Sequence, residues 1–440
     1  MTSAVEAIAS RLSAVGLTDE ALPSKAALFG RALDALGAGP RDASMWWVPG
    51  RIEFLGKHTD YAGGPSLVCA VERGFAVVAA RRADRRVCFR DACSGETVQH
   101  ELEGGLVVTR GHWSNYPLTV TRRLARNFPG QLHGVDLAFA SDLPSAAGLS
   151  SSSALIVASF LALSDANDLA ARPEYHAAIH GVEELAGYLG AVENGSGYGG
   201  LAGDSGVGTL GGSQDHTAIL CSRPGALVQY SYLPVHFERV VPLPNDFVFA
   251  LAASGVVAAK TGSALEQYNR ASALAAAALA AWRDATGGNA PTLSAALTEA
   301  PNGLVDFREL LEGRHDVLDR VVQFHNESRL VHEAGDALAA GELGRLGALV
   351  DESQAAAERL LGNQIPETMS LARIARASGA VAASAFGAGF GGSVYALVRA
   401  SDAHDFVREW LEQYARAFPN HAAWAGVFLT RAGPPATTLA

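Results

Sequence analysis

The run Leu143-Pro144-Ser145-Ala146-Ala147-Gly148-Leu149-Ser150-Ser151-Ser152-Ser153-Ala154 passes directly into Leu155-Ile156-Val157-Ala158-Ser159-Phe160-Leu161-Ala162-Leu163, a loop of small residues feeding an apolar segment of helical composition. This junction constrains the fold more than any other stretch. The first turn of a helix leaves backbone N–H groups without intrahelical partners, and they lie at the positive end of the helix dipole. Such a helix start is a ready anion site. The loop therefore predicts a phosphate cradle.

A second segment, Pro49-Gly50-Arg51-Ile52-Glu53-Phe54-Leu55-Gly56-Lys57-His58-Thr59-Asp60-Tyr61-Ala62-Gly63-Gly64, sets an arginine, a histidine and an aspartate around a glycine-flanked turn. Arg51, His58 and Asp60 combine charged donors and acceptors, which discriminate sugar hydroxyls better than apolar walls because an unmatched buried polar group is costly. Far downstream lies Ser384-Ala385-Phe386-Gly387-Ala388-Gly389-Phe390-Gly391-Gly392-Ser393-Val394-Tyr395-Ala396-Leu397-Val398, a glycine loop followed by a strand-like run. Spacings of the form GxGxxG begin at Gly195, Gly206 and Gly387. A dinucleotide fold needs a strand before such glycines and a helix after them, and Gly392 is followed by a strand instead. Gly50 to Lys57 fails as a Walker A loop, since its glycines are one residue too far apart and His58 stands where Ser or Thr should bind magnesium.

With 440 residues the chain can build two or three domains. A net charge of −11 without a basic run argues against nucleic acid or an anionic membrane as partner. Cys69, Cys88, Cys93 and Cys221 form no CxxC pair, as expected of reduced thiols in a cytoplasmic protein. Met1 to Glu20 has no apolar core of signal-peptide type, and no run reaches membrane-spanning length.

Strands are expected over 67–78, 87–89 and 134–139, and from Phe247 toward Tyr268-Asn269-Arg270, with helices over 273–282 and through 318–361. The tract Gly195 to Gly212 reads as a mobile loop, rich in glycine and poor in core-forming residues. This mix predicts an α+β architecture. His176 and His180 have helical metal-ligand spacing, but without an intervening glutamate or a third ligand they read as a solvated helix face.

Taken in order, the three motifs resemble those of the galactokinases within the GHMP kinases (galacto-, homoserine, mevalonate and phosphomevalonate kinases). The family's first signature runs Gly-Arg-Val-Asn-Leu-Ile-Gly-Glu-His-Thr-Asp-Tyr. This chain keeps Arg51, His58, Thr59, Asp60 and Tyr61 but carries Glu53 for the asparagine and Lys57 for the glutamate. The resemblance implies a two-domain α+β kinase: an S5-like N-terminal domain over 1–235, a ferredoxin-like C-terminal domain over 236–440, and an active site in the cleft between them. It implies ATP and Mg²⁺ as cofactors, with Pro144, Ala147, Gly148, Leu149, Ser150, Ser151, Ser152 and Ser153 holding ATP. It also implies a monomer acting on small molecules, and an insertion at Gly195 to Gly212.

Gly211-Gly212-Ser213-Gln214-Asp215-His216 matches the family segment Cys-Gly-Ile-Met-Asp-Gln. By that match Asp215 is the catalytic base, with Arg51 facing it. Ser152 and Glu193 fall at the metal-ligand positions, Glu183 and Glu184 competing for the latter. Lys57, His58, Asp60, Gly212 and Tyr268 fall at the sugar-binding positions. The implied activity is phosphorylation of the anomeric hydroxyl of galactose or a relative. The alternatives are a C1-kinase for another sugar, such as a uronic acid that would pair with Lys57, and a non-catalytic sugar sensor. If the segment is extended, Glu53 and Lys57 share a face and could instead pair with each other.

Overall fold

The computed structural model describes residues 2–37, 43–107, 109, 111–144, 148–257 and 262–439. Its two longest strands, β1 (Ser44–Leu55) and β2 (Pro65–Arg81), run antiparallel and are buried along nearly their whole length. Period-two alternation serves both faces of β1, with breaks in register between Pro49 and Arg51 and between Glu53 and Leu55. Trp46 and Val48 enter the core beneath the helix Ser151–Ala166, while Met45 and Trp47 pack against the N-terminal helices Thr2–Ala14 and Leu22–Leu36. Each fully buried side chain of this size is worth about 1.5–3 kcal/mol. Outward from β2 lie β5 (Val135–Ser141), β3 (Arg86–Asp91) and β4 (Thr97–Glu101), with only the β3–β5 pair parallel.

The hairpin of β6 (Ala226–Ser231) and β7 (His236–Pro242) joins the same sheet through β2. Beyond residue 242 a second sheet forms from β8 (Phe247–Ala253), β9 (Ala382–Ala385), β10 (Ser393–Arg399) and β11 (Gly426–Thr430), in the order β11-β8-β10-β9 and antiparallel throughout. With the helices Pro366–Ala377 and Ala403–Ala417 as crossovers, this is the expected ferredoxin-like arrangement. A helical excursion separates β8 from its crossover and includes Gly262–Thr286, His315–Ala339 and Leu343–Ala356.

Residues past 235 complete the first sheet, so the two halves do not divide at that boundary. Besides β7, the short strands β12 (Ala432–Gly433) and β13 (Thr437–Thr438) return to pair with β2 and β1. Ile52 and Phe54 of β1 pack on Phe249, Leu251 and Tyr395 of the second sheet and on Leu330 and Val331 of the excursion. Tyr395 donates to the Phe54 carbonyl at 2.7 Å. With Ile52 and Phe54 committed to that contact, alternation turns Arg51 and Glu53 the other way, toward the cleft.

Two local expectations change. Tyr268 lies in the helix Gly262–Thr286, not after a strand, because the helix begins well before the alanine-rich part that marks it in sequence. The tract Gly195 to Gly212 is irregular, as expected, but it is tied down. Arg122 Nε meets Asp204 Oδ2 at 2.7 Å with both side chains buried, Asn127 Nδ2 donates to Ala202 O at 3.0 Å, and Asn115 Nδ2 donates to Val207 O at 3.2 Å. Leu201 and Val207 enter the core.

Candidate active site

Strand β1 ends at Leu55, and Gly56 at φ +108° starts the turn that carries the sugar-type signature. A Cβ on Gly56 would lie 2.5 Å from the Ser66 side chain, so only glycine fits there. Thr59 Oγ1 donates to the carbonyls of Gly56 at 2.9 Å and Pro65 at 2.7 Å, which closes the turn. His58 sits at φ +59°, held by Arg320 Nη2 on its carbonyl, with its Nδ1 and the Tyr61 hydroxyl 2.9 Å apart. Arg320 belongs to the helix His315–Ala339, and its distance along the chain gave no sequence sign of this role.

The helix Gln214–Cys221 brings Asp215 to the turn in its first residues. Gln214 N donates to Asp60 Oδ2 at 3.0 Å, and Arg51 Nε donates to Asp215 Oδ1 at 2.7 Å. Arg51 Nη1 also donates to the Gly148 carbonyl at 2.6 Å, and Ser150 Oγ donates to Asp215 Oδ2 at 2.6 Å. Asp215, Arg51 and the serine loop thus form one hydrogen-bonded unit. Burial works against the charge of Arg51, but Asp215 together with Glu53 outweighs it and holds the guanidinium above its usual value.

Gly212 lets the two motifs touch, since a Cβ there would lie 2.4 Å from Asp60 Oδ2 and 2.9 Å from Tyr61 N. Gly211 does the same for Tyr268, whose hydroxyl would lie 2.6 Å from an added Cβ. Burial, with Asp60 and Asp215 nearby, holds the Tyr268 phenol well above its usual value, so it keeps its proton and can donate. Burial likewise raises the Asp60 carboxyl, opposed by the bond from Gln214 N.

Arg51, His58, Asp60, Glu193, Gly212, Asp215 and Tyr268 line one cavity together with Glu53, Ser153 and His216. Lys57 does not reach it. Past Gly56 the strand alternation is broken, and Lys57 Nζ turns away to donate to Ser353 Oγ at 2.8 Å. Ser353 Oγ in turn donates to Glu327, at 3.0 Å from Oε1 and 2.8 Å from Oε2. Glu327 Oε1 also accepts from the backbone of Gly56 at 2.8 Å and Lys57 at 3.1 Å. Among the described residues no ion pair within 4 Å joins Glu53 to Lys57, whose charge acts on Glu53 only from farther off, and Lys57 is not in the lining of the cavity. Glu53 occupies the cavity instead. Its departure from the family signature, two residues after Arg51 on the same strand face, was the signal that could have placed it there.

Of the two residues at the metal-type positions, Glu193 lines the cavity, whereas the neighbour of Ser152, Ser153, lines it in place of Ser152. Ser153 Oγ donates to Glu193 Oε2 at 2.8 Å and lies 3.5 Å from Asp215 Oδ2. Ser152 turns outward with Ser151 into a groove of about 270 Å³ that includes Trp113, Tyr116, Phe139 and Leu155. Glu183 and Glu184 lie in the first turn of the helix Val182–Asn194, at the opposite end from Glu193. His216 Nε2 is 3.2 Å from Glu193 Oε2. Among the described residues no three His, Cys, Asp or Glu gather as a metal cage. Ser153 and Glu193 beside Asp215 nevertheless make the hard-oxygen set that Mg²⁺ accepts, since that ion is bound by one or two carboxylates together with substrate phosphates and waters.

In the serine loop, Ser150 precedes the helix at φ +57° and Gly148 lies at φ +74°, while Leu149 is buried between the domains. Pro144 lies at the loop entrance, and Ala147 lies outside the described residues. The downstream glycine loop closes over this one, so that a Cβ on Gly387 would lie 3.0 Å from the Gly148 carbonyl and 3.3 Å from Arg51 Nη2. Among the described residues no helix is long and apolar enough to cross a membrane.

Residues 37–81 match the family model for the galactokinase galactose-binding signature, 115–200 that for the GHMP kinase N-terminal domain, and 336–416 that for the GHMP kinase C-terminal region. The chain is 31% identical over 373 residues to the galactokinase of Chloroflexus aggregans, covering 84% of this chain and 87% of that one. It is 30% identical over 373 residues to the galactokinase of Chloroflexus aurantiacus, with the same coverage of 84% and 87%. Among solved structures, Lactococcus lactis galactokinase complexed with galactose superposes with a TM-score of 0.78 at 23% identity, covering 93% of this chain and 98% of that chain. L. major mevalonate kinase in complex with R-mevalonate gives 0.53 at 16% identity, covering 89% and 96%; these structural likenesses concern the fold.

Proposed function

The chain belongs to the galactokinase family of the GHMP kinases, and from that premise we propose that it transfers the γ-phosphoryl group of ATP to the anomeric C1 hydroxyl of galactose or a sugar of closely similar shape. One observation carries this reading. The Asp215 carboxylate is fixed in the sugar-type cavity by Arg51 at 2.7 Å and by Ser150 of the serine loop at 2.6 Å, so a base and a phosphate cradle meet at one point.

Asp215 takes the proton of the C1 hydroxyl as that oxygen bonds to the γ-phosphorus, and the bond to the β–γ bridging oxygen breaks to release ADP. General-base assistance of this kind is worth about 10²–10⁴-fold. Arg51 keeps Asp215 ionised and stabilises the oxygen as it gains charge. The serine-loop backbone holds the phosphates, and the groove beside Trp113 accommodates the nucleoside. Ser153 and Glu193 would hold Mg²⁺, which when bound neutralises phosphate charge.

The cavity's charge favours a neutral acceptor over a uronic acid. Asp60, Glu193 and Asp215 line it against the single arginine Arg51, which is already engaged, and Lys57 stands outside. A sugar sensor would need no base held in this way, and no feature of the site favours that reading. ADP release across hexoses, pentoses, amino sugars and uronic acids, with the product's phosphate located by NMR, tests the proposal. Galactose 1-phosphate is the expected product, and a uronic acid as best acceptor, or no turnover on any sugar, overturns it.

A further inference from the structure

Glu53 is the one departure from the family signature that the cavity retains. Its side chain is 2% exposed, and its Oε1 has no hydrogen-bond partner. Buried polar atoms are nearly always paired, so an orphan that lines a ligand cavity calls for a partner from the ligand. Arg51 and Lys57 oppose that burial by charge but give Glu53 no hydrogen bond, since Lys57 Nζ donates to Ser353, and Arg51 to Asp215 and the Gly148 carbonyl. Neighbouring Ile52 and Phe54 face the apolar contact between the sheets and contribute no donor.

The position along β1 also fits. Arg51 marks the reacting end of the cavity, and Glu53 follows two residues later on the same face, roughly 6.5–7 Å farther along the strand. That separation spans a pyranose ring from its reacting hydroxyl to its far side.

We infer that Glu53 is a substrate-contacting residue that binds one hydroxyl of the acceptor sugar remote from the phosphorylated oxygen. The inference rests on the sugar-kinase reading of the same cavity and names the residue that sets its specificity. Burial pushes the Glu53 carboxyl up to about 8, so the group can donate as well as accept, which matches the donor and acceptor character of a sugar hydroxyl.

The test separates the two readings by order of measurement. An ADP-release screen of the wild-type enzyme first identifies the acceptor, and a wrong sugar shows there. Single deoxy analogues of whichever sugar is turned over are then compared in wild type, Glu53→Gln and Glu53→Ala by kcat/KM. In wild type, removing the hydroxyl that meets Glu53 is expected to cost about 10- to 100-fold. In Glu53→Ala the same deletion should cost less than about threefold, while the penalties at the other hydroxyls stay as they were. Should Glu53→Ala fail to fold, Glu53→Met, of similar length but with neither donor nor acceptor, carries the comparison, and Glu53→Gln, which keeps both, should retain the wild-type penalty. If every deoxy penalty is the same in Glu53→Ala or Glu53→Met as in wild type, Glu53 is structural and the inference is overturned.

Discussion

Replacing Lys57 by methionine separates a substrate contact from a buried strut. Lys57 is 1% exposed and Glu327 is fully buried; they are linked through Ser353 Oγ, which lies 2.8 Å from Nζ and donates to both carboxylate oxygens. Methionine fills similar space but removes the cation, leaving the Glu327 carboxylate with donors and no countercharge. Loss of one member of a buried pair costs about 3–5 kcal/mol. The two backbone N–H bonds that Glu327 keeps place this case near 3 kcal/mol. At about 2.1 cal/mol/K per residue of unfolding entropy, that corresponds to a fall in Tm of about 3 °C for a chain of this length. Thermal unfolding followed by circular dichroism, with sugar KM measured alongside, should show that fall and a KM within about twofold of wild type. Adding Glu327→Gln should restore much of the loss, because it removes the uncompensated charge. An unchanged Tm together with a large change in sugar KM, or acquired turnover of a uronic acid, would refute the argument.

Asp215→Asn keeps the shape of the base but cannot take the proton, so turnover should fall by about 10²–10⁴-fold while calorimetric sugar binding changes little; near-normal turnover would sink the assignment. Ser153→Ala should raise the magnesium requirement more than Ser152→Ala, because only Ser153 reaches Glu193, and equal responses in a magnesium titration would place the ion elsewhere. Glu53 gives a pH signature in stability. Burial raises its carboxyl from 4.5 to about 8, so the folded chain binds more protons than the unfolded chain between those values. The stability tied to this proton is fully present below pH 4.5 and is lost as pH rises to about 8. The Tm of Glu53→Gln relative to wild type should therefore climb across that window and level off above it, and a parallel pair of pH curves would show that Glu53 is not held neutral.

The three glycine- or serine-rich motifs were legible because backbone geometry dictates their composition. Gly56, Gly148, Gly211, Gly212 and Gly387 stand where a turn or a close approach admits no larger residue or requires positive φ. Which face a side chain takes was harder to read. Ser152 and Ser153 differ by one step of about 100° around a helix, enough to send one to the groove beside Trp113 and the other to Glu193. Lys57 leaves the face of Glu53 for a related reason, since alternation predicts a shared face only while the strand continues, and it stops at Leu55. Its true neighbour Glu327 and the turn's anchor Arg320 come from a helix more than 250 residues downstream, where one sequence gives no sign of the pairing.

The glycine-rich tract after Glu193 has a consequence for how the chain is cut. By composition it would be the obvious place for a protease to open the backbone. Yet Arg122 and Asp204 pin its middle, and Asn269 holds its end by accepting from Leu210 N at 2.8 Å and donating to Gly208 O at 3.1 Å. Asn269 adjoins Tyr268, so a protease that engages this segment must first release the helix carrying a cavity residue. Susceptibility to nicking between Gly195 and Gly212 should then track loss of the assembled active site, with cleavage there reporting on the cavity rather than on an exposed linker.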